Sequence, residues 1–460
     1  MNIKKFLFPS LLVGTVLALI LRAFAKPASG KPASNGTSYE AIDAYIVEQM
    51  RHLNIPGAAL VIVEGDQIVY LRGFGRARPG GEAPTPQTPF FIGSLTKSFT
   101  ALAVMQLVET GTIDLDAPVQ RYLPWFRVAD PQASAQITVR HLLNQTSGLP
   151  GLLGMANLAD FDSRPDATER QVRTLSTLKL ARPVGSKFEY SNTNYNVLGL
   201  IVEAASDESY ADYIQNHIFN PLGMSHSYTS KAVAQQNGLA MGHRYWFGHP
   251  FPAPHLSIPP GSLPAGELIS SAEDMAHYLI ANLNGGRYDG AQILSEAGID
   301  ELHRPAAEIN EMGLSLGDYG MGWISQEIGE SRIVSHSGIV PDFGAAPWAM
   351  RGMLLIPLLQ IAGVATTLLL LRRWRLDPER RPSRGRMWGQ HILLPLIPNV
   401  LVALTLIPML SKMRGFLLLF MPDFSWIAMV CGSFAVIWSF LRTGLVLRAL
   451  REPRASKEPR

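Results

Sequence analysis

The sequence predicts an α+β domain, helices packed on an antiparallel sheet, followed by a membrane region of three helices. Three observations predict it. A helical stripe of apolar residues runs straight into a hairpin pattern, and helical stretches dominate the chain beyond the hairpin. Three uncharged apolar runs crowd the last quarter of the chain. Charge is also segregated: residues 347–460 carry 16 Lys and Arg against 5 Asp and Glu, whereas residues 26–346 carry 21 against 32. The chain's 460 residues leave room for both bodies.

In chain order, Met1 to Lys5 is cationic, Phe6 to Leu21 apolar, and Ala23-Phe24-Ala25 a small-x-small site. Residues 1–25 therefore read as an export signal. An uncleaved N-terminal anchor is the alternative, since the apolar run approaches spanning length. Residues 26–37, rich in Pro, Ser, Gly and Ala, form a flexible linker. From Ser38 to Leu53, apolar Ile42, Tyr45, Ile46 and Met50 recur at helical spacing. Gly57 to Val63 and Gln67 to Leu71 flank Glu64-Gly65-Asp66, the signature of a β-hairpin. Gly73-Phe74-Gly75 lacks the third glycine and the following helix of a dinucleotide loop, and reads as a strand-end turn.

The C-terminal spans are expected at about residues 353–371, 392–411 and 424–441. Seven arginines between Arg372 and Arg386, and the basic tail after Leu441, belong on the cytoplasmic side. Three crossings then leave residues 38–346 outside, in agreement with the export signal. A lipid bilayer is thus one expected partner, and the expected location is the cell membrane.

Several function classes are excluded. An acidic middle lacks the cationic face that nucleic acid needs. Cys431 is the only cysteine, so neither a disulfide nor a cysteine zinc site is available. It reads as a small buried hydrophobe. No His-Glu-x-x-His is present. Asp423 is the only acid near the spans, which argues against a transporter.

The chemistry sits in three ordered motifs. Gly93-Ser94-Leu95-Thr96-Lys97 opens a helix expected to be amphipathic through Leu102, Met105 and Val108, ended by Gly111. Ser94 and Lys97, three apart, share one face. A serine hydroxyl needs an adjacent base, and a lysine serves when burial lowers its pKa. Ser176-Thr177-Leu178-Lys179 repeats the spacing without the glycine and reads as an ordinary helix segment. Tyr190-Ser191-Asn192 comes next, then His336-Ser337-Gly338 at the end of a strand. A phenol beside an ammonium can shuttle a proton. A carboxamide can hold both the lysine and a substrate carbonyl, and a strand-end turn can offer an N–H to an oxyanion. His141 reads as structural. The aromatic stretch His243 to His249 could rim a cleft or simply pack on the surface.

In these motifs the chain resembles the serine β-lactamase and penicillin-binding-protein superfamily, in its class C β-lactamase-like branch. Leu142 to Pro150, Asn220 to Met224 and Pro264 to Met275 add matches outside the catalytic set. The resemblance covers about Ser38 to Phe343. It implies an antiparallel sheet flanked by helices and an acyl-enzyme mechanism without metal or cofactor. By implication Ser94 is the nucleophile, and Lys97 and Tyr190 share the general-base work. Asn192 orients substrate and lysine; His336, Ser337, Gly338 and Ile339 line the substrate side. The N–H groups of Ser94 and Ile339 form the oxyanion hole. Implied substrates are D-amino-acid peptides, β-lactams or small esters, including peptidoglycan-derived peptides.

One departure stands out. The resemblance implies two further strands and a helix after His336-Ser337-Gly338, yet only Ile339 to Ala346 precede Pro347. The expected domain, residues 38–346, thus lacks its last strands, and the membrane domain begins at 347. The hairpin and the His336 strand would each lose a neighbour, and orphaned edges are costly. A non-catalytic receptor for cell-wall fragments is therefore the alternative to a hydrolase.

Overall fold

A computed structural model describes residues 39–151, 164, 166–246, 249–253, 260–311, 314–340, 355–377 and 422–451. The chain divides into two compact units, residues 1–244 with 250–345, and residues 245–249 with 346–460.

The first unit starts with helix α1, Tyr39–Leu53. It buries Met50 and stacks Tyr39 on Tyr70. Its Asp43 accepts hydrogen bonds from both Tyr70 and Arg72. Strands β1, Gly57–Glu64, and β2, Gln67–Gly75, form the expected hairpin, registered from Gly57 opposite Gly75 to Glu64 opposite Gln67. Gly65 supplies the left-handed turn residue at φ +61°. The Gly73-Phe74-Gly75 run is the last of β2 rather than a turn beyond it. A Cβ on Gly73 would fall 1.7 Å from Pro84 O, so a neighbouring backbone crosses there.

Helix α2, Thr96–Glu109, is the axis of the core. The expectation of an amphipathic helix fails, because eleven of its residues, from Thr96 to Leu107, are buried. The reason is tertiary: α2 packs on helix α3, Asn192–Ser206, on the short helix α4, Leu263–Gly266, and on the helix Tyr210–Ile214. Phe99, fully buried, stacks on Tyr278 of helix α5, Ala272–Leu283, with centroids 4.0 Å apart. The short helix Val139–Leu143 begins with a capping box between Thr138 and His141, which confirms a structural role for that histidine.

Four strands complete the unit: β3, Ala307–Glu311; β4, Leu314–Tyr319; β5, Ile324–Ile328; and β6, Ser331–Ser335. They form one antiparallel sheet in the order β6-β5-β4-β3. Among the described residues this sheet and the β1–β2 hairpin do not pair. β1 keeps its apolar Leu60 to Val63 only half-buried, although the face toward α5 is packed.

In the second unit, helices α6, Leu355–Leu376, and α7, Pro422–Arg451, run past the expected spans. Gln360 Nε2 donates to Cys431 O (2.9 Å), Arg442 Nε donates to Thr367 Oγ1 (3.0 Å), and Trp374 packs with Val446. These contacts advance together along both helices, so α6 and α7 run parallel. Val430–Arg448 is long and apolar enough to cross a membrane, the one such stretch among the described residues. Two of the three expected runs thus fall on described helices, and the run 392–411 lies outside the described residues.

Candidate active site

Backbone geometry builds the site around Ser94. Gly93 adopts φ +58°, and a Cβ there would lie 2.7 Å from Ile339 N. A Cβ on Gly338 would lie 2.0 Å from Ile92 O. Glycine at both positions lets the segment after β6 cross this closely, and the crossing carries Ile339 N to the residue before Ser94. Ser94 sits in the tight 3₁₀ turn Gly93–Leu95, and Lys97 in the first turn of α2.

Lys97 is fully buried. Its Nζ donates to Asn192 Oδ1 at 2.8 Å and to Ala265 O at 2.5 Å, and lies 3.0 Å from Ser94 Oγ. Burial drives its pKa well below the ordinary lysine value. Rings close around the amine: the Tyr190 centroid is 5.0 Å from Nζ, and that of Tyr195 is 5.7 Å away. Tyr190 precedes α3, whose first residue is Asn192. Burial raises the Tyr190 phenol above its usual range, and the Ser94 hydroxyl beside it opposes the rise.

His336 follows β6 and is half-buried. Its ring lies 6.3 Å from that of Tyr190 and 5.8 Å from that of Tyr319. Burial first, and the charge of Lys97 second, push its pKa down to about 4. Its Nδ1 is 2.7 Å from Ser337 O and its Nε2 is 3.2 Å from Tyr319 Oη. His336 is therefore a neutral imidazole at ordinary pH.

The structure brings Ser94, Lys97, Tyr190, Asn192, His336, Gly338 and Ile339 together. Ser337 is exposed and supplies its carbonyl to His336. The decoy Ser176-Thr177-Leu178-Lys179 spans the end of a 3₁₀ turn, Thr174–Thr177, and the residues after it, so it aligns no serine with a lysine on one helix. Sequence reasoning missed Ala265, whose carbonyl holds Lys97, and Tyr319 and Gln145, which stand behind His336 and Tyr190. The runs Leu142–Pro150 and Pro264–Met275, set apart as non-catalytic, supply two of these three. One group of metal-type side chains occurs among the described residues, His226, Glu273 and Asp274. Asp274 there accepts from His226 N and Ser227 Oγ, both at 2.7 Å, which accounts for its place.

Comparison with known proteins gives the same address. Residues 42–370 match the family model described as β-lactamase. The chain is 32% identical over 275 residues to penicillin-binding protein 4 of Amycolatopsis lactamdurans, covering 59% of this chain and 71% of that protein. It is 28% identical over 318 residues to protein flp of Staphylococcus aureus strain MW2, covering 67% of this chain. It spans only 60% of the length of that relative. Among solved structures, the octameric penicillin-binding protein homologue from Pyrococcus abyssi aligns with TM-score 0.59 and 32% identity. That alignment covers 66% of this chain and 69% of the other.

Proposed function

The chain belongs to the β-lactamase family, and from that premise we propose that it is a membrane-attached serine hydrolase acting through an acyl-enzyme on Ser94. Its proposed substrates are D-amino-acid peptides, β-lactams or small esters. The observation that carries this reading is the set of neighbours around Lys97 Nζ. Asn192 Oδ1 and Ala265 O can only accept, so they take two hydrogens. A neutral amine then presents its lone pair to the third neighbour, the hydroxyl of Ser94. Burial favours that neutral form.

The proposed reaction follows from the geometry. Lys97 takes the Ser94 proton as Oγ bonds to the substrate carbonyl carbon. The N–H groups of Ser94 and Ile339 receive the negative oxygen. The leaving amine or alkoxide takes a proton through the Tyr190 phenol, which Lys97 re-protonates. Water then gives a proton to Lys97 as its oxygen bonds to the acyl carbon, and Lys97 returns that proton to Ser94 Oγ as the acyl–oxygen bond breaks and the acid leaves. Asn192 fixes Lys97 and faces the substrate carbonyl, while His336 to Ile339 form the opposing wall.

Membrane attachment rests on the Val430–Arg448 stretch, which is long and apolar enough to cross a bilayer. On this reading residues 38–346 lie outside. Carbonate extraction of membranes should leave the protein in the pellet; release of the intact chain would overturn the attachment.

A second reading, a receptor for cell-wall fragments, is favoured by the two unpaired sheets. A fluorescent penicillin decides between them. The hydrolase reading expects covalent labelling that Ser94→Ala abolishes; reversible binding with no adduct supports the receptor.

A further inference from the structure

Behind the two walls of the site runs a line of buried polar side chains that the mechanism above does not use. At one end, Gln145 Oε1 accepts from Ser191 N at 2.9 Å and from Asn194 Nδ2 at 2.5 Å. Its own carbonyl accepts from Glu189 N at 2.8 Å. Gln145 thus grips the segment Glu189 to Asn194 from both sides. It is fully buried and holds φ +59°, a strained conformation for a non-glycine residue and one that collects at functional sites.

The other end of the Gln145 amide, Nε2, is buried without a hydrogen-bond partner. Tyr319, fully buried at the end of β4, lies 3.2 Å from His336 Nε2 through its hydroxyl. The tautomer follows from the partners. Ser337 O can only accept, so His336 Nδ1 carries the hydrogen and Nε2 the lone pair. Tyr319 therefore donates to Nε2. The competing acceptor, the Tyr195 phenol, is the weaker base, and Tyr195 spends its own hydrogen on Leu143 O at 2.9 Å. The Tyr319 ring also stands edge-on to Tyr190, with centroids 6.1 Å apart.

We infer that Gln145 and Tyr319 are positioning residues that tie the Tyr190–Asn192 wall to the His336–Ile339 wall. Tyr319 fixes the imidazole, the imidazole fixes the Ser337 carbonyl, and that carbonyl sets the turn carrying Ile339 N. Gln145 fixes the wall that carries the proton-shuttling phenol and the carboxamide on Lys97. Neither residue touches the reacting atoms. The inference rests on the acyl-enzyme reading and adds two residues to it.

The test uses the full-length chain in detergent micelles and a fluorophosphonate probe, resolving the labelling rate constant from the final labelled fraction. Tyr319→Phe keeps the ring and removes only the donor. It should lower the rate constant about tenfold and leave the labelled fraction at the parent level. Gln145→Met, which removes the acceptor that Ser191 N and Asn194 Nδ2 share, should slow labelling similarly. The double variant should be no slower than the worse single one, because both act on one chain of contacts. A loss of labelled fraction at an unchanged rate constant would reduce both residues to folding roles and overturn the inference. So would parental rates in Tyr319→Phe, or additive losses in the double variant. Failure of the underlying reading looks different: Ser94→Ala would then label like the parent, whatever the two variants do.

Discussion

Lys97 Nζ lies 3.0 Å from Ser94 Oγ while its other two partners, Asn192 Oδ1 and Ala265 O, can only accept. One buried amine is thus pinned by two carbonyl-type oxygens so that its remaining position meets the nucleophile.

The first prediction concerns pH and rate. The base is the neutral amine, and burial lowers its pKa. Labelling should rise with pH through that lowered value and level off above it. Lys97→Met should reduce the rate constant by about 10²–10⁴, the usual worth of a positioned general base. Rates of a fluorophosphonate probe, followed from acid pH up to the ordinary lysine value, check both.

Stability should carry the same signature. Unfolded Lys97 is protonated up to its ordinary value, whereas folded Lys97 is neutral over part of that range. The unfolded state therefore binds more protons in the window between the two values, and the parent loses stability as pH falls through it. The melting temperature of Lys97→Met relative to the parent should rise over the same window.

His336 makes a separate acid limb. Its folded pKa of about 4 lies below the ordinary 6.5, so its contribution has the same sign as that of Lys97: stability drops as pH falls from 6.5 toward 4. Protonation also turns Nε2 from acceptor into donor and breaks its bond from Tyr319. His336→Asn should flatten the parent's melting-temperature profile in that interval.

The glycine crossing is directly testable. A Cβ on Gly338 would meet Ile92 O at 2.0 Å. Gly338→Ala should cost about 2 kcal/mol or more, within the range of backbone collisions, and slow labelling at least tenfold. Thermal melts and labelling kinetics on the same sample measure the two effects.

The core offers a control away from the site. Phe99 is fully buried on α2 and stacks on Tyr278. Phe99→Ala should destabilise by about 3–5 kcal/mol through the cavity it leaves. Urea melts followed by circular dichroism give the value, and chain that remains folded should label at the parental rate.

How much of the site the sequence revealed depends on how far each signal reaches. Ser94 and Lys97, and Tyr190 and Asn192, announce themselves because each pair lies within one or two turns of local backbone. The order of three such pieces then resembles one family. Ala265 was invisible because it contributes only a carbonyl, which any residue has. Tyr319 sits at a strand end 17 residues before His336, and their contact exists only once β4, β5 and β6 pair. Gln145 lies inside a run that stood out, but its side chain joins segments 46 residues apart. The amphipathic expectation for α2 failed because helices cover it on several sides, and periodicity reports one covered face at most. The apolar C-terminal runs were legible as composition, which shows where a helix could lie but not where it ends.

The central claim is that Ser94 is acylated with the help of a base held at Lys97. Mapping the fluorophosphonate adduct by peptide mass spectrometry tests it most directly. The account predicts a single adduct on Ser94, in the peptide that also holds Lys97. An adduct on another serine, or undiminished labelling of Ser94→Ala, would contradict it.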